Sequence, residues 1–380
     1  MPQRLPRTAS EWAREVKNHG LSDGNIHNVL EYKSTSKIEF ERYLCLRVIW
    51  RVRKQAYFKP SDWLPGDALV KAEEFLGTMT SWSKYLDSMG KTLAGAPIAD
   101  VGTFTLAQYY QLRVYEDIDK DHGNYELPKI FPIAGRTSSK TTEQTELAPT
   151  TPTRLSGKKA SRVVLTDDSG ELDSFCPGSE ENLIFGPWHP LTISATNDEL
   201  KVNMALVFFL NSTTMHHPDV RADWKMHKRF FKFGNLFEAS TDGYLEKGQS
   251  GEVGAILEVK AYIREDNILQ IQMQESARMA AWIFANPDDG ELHRSASGKE
   301  STRRLLISQD NHEIYLTFAE YDAAYVEYLR DNGSQDSSET AKRPRSFMRM
   351  NQFGPWDTTI SEHMKQLGHI VLAFTIQQSH

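Results

Sequence analysis

Three ionisable residues in the C-terminal half of the chain could form a metal site, and two of them stand where charge is unfavourable. Glu258 and Lys260 follow the apolar run AIL in VGAILEVKAY and lie two positions apart, so on a strand their side chains share one face. Asp242, beside Gly243, closes an earlier strand candidate, LFEASTDGYL. Two carboxylates converging on one point offer hard oxygen ligands to magnesium, which keeps several waters and takes phosphate oxygens in its remaining positions. Such an ion stabilises charge developing on a phosphate and lowers the pKa of a bound water. A lysine beside it can hold the attacking water or stabilise the phosphorane, and the residues alone leave both roles open. A Glu and a Lys on one strand face are usually a solvated cross-strand pair. Here they follow a run that reads as buried, where a charge without a purpose is disfavoured.

Around this trio lie residues suited to phosphate and base contact. Ala222 to Phe233, ADWKMHKRFFKF, interleaves Lys225, His227, Lys228, Arg229 and Lys232 with Trp224, Phe230, Phe231 and Phe233. A solvated face over a buried aromatic stripe fits the same pattern equally well. Arg264 and Arg278 flank the trio and are further candidates for phosphate. His216 and His217, with His227, match no zinc spacing and read as loop histidines. There is no Walker P-loop, no GxGxxG after a strand and no GxSxG elbow.

Composition narrows the class. The 380 residues are 39% hydrophobic and 25% charged, the profile of an ordinary soluble protein of one to three domains. A net charge of -7 argues against coating nucleic acid non-specifically, so any such contact must be local. No apolar run approaches the roughly 20 residues of a membrane helix, and the N-terminus has no signal-peptide core, which predicts a cytoplasmic or nuclear protein without a membrane partner. Cys45 and Cys176 are the only cysteines, and neither has CxxC or Cys/His company, so neither a disulfide nor a zinc site is expected.

The elements that must position the trio follow from periodicity. Residues 1–121 read as a helical region: apolar residues recur at three- and four-residue spacing in EFERYLCLRVIWRVRKQAYF and ALVKAEEFLGTMTSWSKYLDSM, with Trp12, Trp50, Trp63 and Trp82 as core anchors. Residues 122–180, rich in Ser, Thr and Pro, read as a linker or long loop. From residue 181 to 380 the pattern is mixed. A helix over 198–212 precedes a hairpin of 236–245 with 253–262 joined by EKGQSGE. A helix over 272–284 follows, then two strands across an Asp310-Asn311 turn, a mobile loop over 331–345 and a final helix over 361–375. Lys342 to Arg345, KRPR, reads as a loop charge cluster rather than a nuclear signal.

LFEASTDGYL, AILEVKAYIRED and IQMQESARMAAWI together resemble the core of the PD-(D/E)XK nuclease-like proteins numerous in filamentous fungi. The resemblance extends more loosely from about Asp198 through NQFGPWDTTISEHMKQLGHIVLAF and covers roughly the last half of the chain. It implies an α/β (α+β) domain of restriction-endonuclease-like fold, a small mixed sheet flanked by helices. By it, Asp242 matches the motif aspartate, Glu258 the second acidic ligand, Lys260 the motif lysine, and Val259 offers its backbone carbonyl to the metal. Gln274 matches the glutamine of the following helix, and Glu199, next to Asp198, the acidic residue of the preceding one. Thr241 stands where the motif has proline.

The expected function is a Mg2+-dependent nuclease, with Mn2+ able to substitute, acting on nucleic acid and on DNA before RNA. A homodimer is compatible with it. The competing expectation is a catalytically silent scaffold that binds protein or nucleic acid, since a fold does not fix a function. A third makes the N-terminal helices a partner-binding module with the nuclease-like half as its effector.

Overall fold

The computed structural model describes residues 4–21, 25–26, 38–89, 98–120, 199–248, 250–287, 290–294, 300–330 and 345–379. The expected linker over 122–180, the loop over 331–344 with most of its KRPR cluster, and Cys176 lie outside the described residues.

In chain order the elements are α1 (Ala9–Asn18), α2 (Phe40–Cys45), β1 (Val48–Arg53), α3 (Gly66–Thr78), α4 (Thr80–Ser88), α5 (Thr105–Lys120), α6 (Glu199–Thr214), β2 (Asp223–Lys225), β3 (Phe230–Phe233), β4 (Phe237–Ser240), β5 (Gly243–Lys247), β6 (Glu252–Lys260), α7 (Ile268–Ala285), β7 (Glu291–Arg294), β8 (Glu300–Asp310), β9 (Glu313–Tyr321), α8 (Ala323–Arg330), β10 (Met348–Asp357) and α9 (Ser361–Gln377). Among the described residues eight strands form one mixed sheet in the order β1-β10-β9-β8-β6-β5-β2, with β7 on β8, while β3 and β4 make a separate hairpin. The pairs β6–β8 and β1–β10 are parallel and the rest of the sheet is antiparallel. The α/β class expected from the sequence is therefore the class observed.

Two apolar cores lie on opposite faces of this sheet. One joins residues of α3 to α6 and α9 to Leu245, Ala255, Leu257 and Val259. The other joins residues of α1, α2, α7, α8 and the β3–β4 hairpin to Tyr244, Val253 and Ile256. From Ala255 to Leu257, past a register shift in the β5–β6 pairing, successive side chains of β6 enter different cores, and every residue from Val253 to Lys260 is buried. That double cover is why VGAILEV reads as a continuous apolar run instead of an alternating one.

The N-terminal region is not a separate helical unit. Residues Met1–Gly123 and Thr192–His380 form one compact body. The expected helix in EFERYLCLRVIWRVRKQAYF breaks after α2, where Arg47 adopts φ 53° and stacks its guanidinium 3.6 Å from the Tyr328 ring centroid. VIWRVR then runs as a strand parallel to β10, with Val48 opposite Met348. Its β-branched and aromatic residues suit a pleated surface, and pairing with β10 overrides the helical spacing. Trp50 Nε1 donates to Ser276 Oγ of α7 at 2.9 Å, tying this strand to the helix behind the site. Trp12, Trp50 and Trp82 are buried, and Trp63 is partly buried with its ring 4.6 Å from that of Phe318.

LFEASTDGYL is two strands rather than one. β4 pairs with β3, then the chain leaves that hairpin at Thr241–Asp242 and enters the main sheet as β5, whose Gly243 sits opposite Leu257. Asp242 therefore lies in the break between two strands and does not end the first. Gly243 permits the crossing, because a Cβ there would lie 2.5 Å from the Lys225 carbonyl oxygen of β2.

The ring of Trp82 presses on α9 where Gly368 has no side chain, and a Cβ at that position would lie 2.4 Å from Trp82 Cη2. Gly368→Ala is predicted to destabilise the protein by about 1–3 kcal/mol, the usual effect of overpacking a tight contact. Urea unfolding measures it, and an unchanged midpoint would show that α4 yields freely.

Candidate active site

The site forms at the C-terminal end of β6, where a doubly covered strand finishes in charge. Glu258 is 1% exposed and Lys260 8%. Lys260 Nζ donates to Glu258 Oε1 at 2.7 Å and to the Val259 carbonyl at 3.0 Å, and it lies 3.8 Å from Glu199 Oε1 at the start of α6. Arg278 of α7 places Nη2 2.9 Å from the same Glu258 Oε1, while its Nε donates to the Ser240 carbonyl at 2.8 Å. Two cations thus meet on one carboxylate oxygen. The other oxygen, Glu258 Oε2, is buried without a hydrogen-bond partner among the described residues, as is Arg278 Nη1.

Asp242 joins this cluster from the strand break. The Val259 N–H donates to Asp242 Oδ2 at 3.1 Å, and the Asp242 N–H donates to the Leu257 carbonyl at 3.0 Å. Asn203, one turn after Glu199 on α6, donates its amide to the Asp242 carbonyl at 2.8 Å. Gln274 is buried on α7 one turn before Arg278, so both lie on one face of that helix. Asp242, Glu258, Val259, Lys260, Glu199 and Arg278 are brought together. The role of Asn203 was not read from the sequence, although its four-residue spacing from Glu199 carried the signal.

The electrostatics follow from burial. Desolvation pushes the Asp242 carboxyl up to about 7, with Glu258 adding in the same direction; Lys260, the Val259 N–H and Arg278 oppose this without cancelling it. Burial works against the charged form of Lys260. The Glu258 carboxylate, with Glu199 and Asp242, outweighs that and leaves the ammonium above the ordinary lysine value despite repulsion by Arg278.

The expectation that Arg264 meets phosphate is corrected. It is 1% exposed and spans β8, β10 and α7 from within, with Nε 2.5 Å from Asp310 Oδ2, Nη2 2.5 Å from Glu275 Oε1 and Nη1 2.8 Å from Gln352 Oε1. Its guanidinium also lies 4.2 Å from the Tyr315 ring centroid. Burial raises the pKa of both Glu275 and Asp310, with Arg264 opposing. The sequence shows that Arg264 carries charge, not that two acids 11 and 46 residues away enclose it.

The basic and aromatic segment divides. Lys225, on β2, is engaged by Asp223 at 3.2 Å and Glu246 at 3.3 Å, which compensate its charge locally. Lys228, Arg229 and Lys232 are exposed, with Lys232 opposite Glu238 in the hairpin. His217 is buried, accepts the Asp219 N–H on Nδ1 and packs edge-on against Phe75. Among the described residues no group of three or more His, Cys, Asp or Glu side chains is disposed to hold a metal. No described helix is long and apolar enough to cross a membrane.

No protein-family model, curated protein or solved structure matches the chain.

Since the folded-state pKa of Asp242 lies above its unfolded value, it contributes stability that is full in acid and lost as pH rises through about 7. Asp242→Asn carries no such charge. In chelator it is predicted to melt above the parent at pH 8 and to lose most of that advantage by pH 5. A melting series over pH 5 to 8 measures the difference, and parallel curves would contradict the assignment.

Proposed function

We propose that the chain is a divalent-cation-dependent nuclease with a restriction-endonuclease-like core, acting on DNA in preference to RNA. The core comprises α6, β2, β5, β6, α7 and β8: a helix, three antiparallel strands, a helix and a strand parallel to the third. The observation that carries the reading is the seam between Asp242 and β6. The Val259 N–H fixes one oxygen of Asp242 at 3.1 Å while Glu258 and Lys260 flank that amide on the same strand.

The donor set suits a hard cation. Asp242, the buried Glu258 Oε2, which has no partner among the described residues, and the Val259 carbonyl are oxygens at one strand end, and magnesium or manganese would take its remaining ligands from water and phosphate. Bound there, such an ion would supply charge for the phosphate oxygens and acidify a water. The chain's own residues supply the rest. Lys260, now held on Glu258 and the Val259 carbonyl, must leave them to face the attacking water or the phosphate oxygens. Arg278 can hold Glu258 when it does. Asp242 must give up its proton to act as an anionic ligand, which makes metal affinity rise with pH near neutrality. Glu199, half exposed at the mouth, can orient the water, and Gln274 lies on the helix face that carries Arg278.

One observation favours a second reading, a silent scaffold that binds protein or nucleic acid. Lys260 and Arg278 already neutralise Glu258, so the cluster is self-sufficient as a structural ion pair.

Cleavage of supercoiled, linear and single-stranded DNA and of RNA, with magnesium, manganese or chelator, separates the two readings. The nuclease reading predicts metal-dependent cleavage reduced by roughly 10²–10³-fold in Lys260→Ala, the scale of losing one charge-stabilising donor. Equal inactivity of folded parent and variant on every substrate favours the scaffold.

A further inference from the structure

The hairpin β3–β4 places an aromatic ring in solvent beside the charged cluster. Along β3 the side chains alternate. Phe231 and Phe233 turn inward, their rings 6.0 Å from Trp282 and 4.5 Å from Phe284 of α7, whereas Phe230 is 58% exposed. The backbone under Phe230 is therefore anchored by two buried aromatic contacts, and its ring is presented from a fixed platform. Its position is close to the site. Phe230 sits opposite Ser240, whose carbonyl accepts from Arg278, and the Arg229 carbonyl accepts the Thr241 N–H at 3.0 Å, one residue before Asp242.

The charges around the ring are of one prevailing sign. Lys228 and Arg229 precede it, both exposed, and Arg229 extends over the Tyr244 ring at 5.7 Å. His227 hydrogen-bonds the Tyr244 hydroxyl at 2.9 Å. Asp223 and Glu246 are engaged by Lys225, and Glu238 stands opposite Lys232 in the hairpin register. In a chain of net charge -7, a solvent-facing phenyl ring flanked by two exposed cations, Lys228 and Arg229, with no ion-pair partner among the described residues is a local departure. It matches the two demands of an unpaired nucleotide, a face on which the base stacks and cations for the backbone.

We propose that Phe230, with Lys228 and Arg229, forms a stacking platform for an unpaired base at the lip of the site, so that strands with unpaired nucleotides are bound in preference to intact duplex. This rests on the nuclease reading only in taking nucleic acid as the ligand. A base inside a duplex is already stacked on its neighbours and gains nothing from the ring. A base at an end, a flap or a single strand gains a full stack while its phosphates meet Arg229 and the cluster beyond.

Fluorescence anisotropy of the full chain in chelator tests it, with a labelled single-stranded oligodeoxynucleotide and a blunt hairpin duplex as probes. The expected result is a loss of single-strand affinity of about 5- to 150-fold in Phe230→Ala, the equivalent of one base–aromatic stack, with duplex affinity unchanged. Phe230→Trp restores or exceeds the parent affinity. Single-strand binding by Phe230→Ala equal to the parent, an equal loss on both probes, or a parent that binds neither would overturn the proposal. Because no cleavage is read, a catalytically silent protein can still show the platform, and a nuclease that ignores Phe230 fails it alone.

Discussion

The structure turns on a strand that is buried on both faces and yet ends in charge. β6 is held between two apolar cores, so Glu258 and Lys260 cannot reach bulk water as surface residues would. Each must find its counter-charge within the protein. Lys260 finds Glu258, Arg278 arrives from α7 to share the same oxygen, and Glu199 approaches from α6. Removing one member would leave the others as uncompensated buried charges, a far larger penalty than the pair's net contribution. The helices on either side of the sheet are thereby tied to its central strand by electrostatics as well as by apolar contact.

The same constraint explains the break at Asp242. A continuous strand would carry this residue along the hairpin and away from β6. By changing from one sheet to the other the chain sets Asp242 against the Val259 N–H, and Gly243 makes the close passage of β2 tolerable. Its carboxyl is more weakly compensated than that of Glu258, having a backbone N–H where Glu258 has two cations. The cluster therefore has one carboxyl whose pKa burial pushes up to about 7 and one oxygen, Glu258 Oε2, that is buried without a partner among the described residues. Both features leave room for an added cation. Arg264 shows the contrast, since its guanidinium is surrounded by Glu275, Asp310 and Gln352 and serves to hold β8, β10 and α7 together.

Much of this was legible where periodicity and turn chemistry act locally. Helices α6, α7 and α9 follow from their apolar spacing, the β5–β6 hairpin from EKGQSGE, and the β8–β9 turn from Asn311, which adopts φ 57°. The shared face of Glu258 and Lys260 follows from strand geometry alone. What failed to show depends on distant partners. VIWRVR is a strand because β10, 300 residues further on, offers it an edge. Asp242 lies in a break because two sheets compete for its neighbours, and Arg264 is internal because acids from α7 and β8 enclose it. The position of Arg278 beside the trio in sequence suggests phosphate contact, whereas its hold on Glu258 depends on the packing of α7.

Calorimetric titration of the chelator-stripped chain with manganese at pH 8, comparing the parent with Asp242→Asn, tests most directly whether this charged strand end is a cation site. The account predicts that the parent binds an ion and that the variant, folded but short of one anionic ligand, binds it far more weakly. Manganese binding that is absent from the parent, or equal in the two proteins, would contradict it and leave the cluster as a buried ion pair.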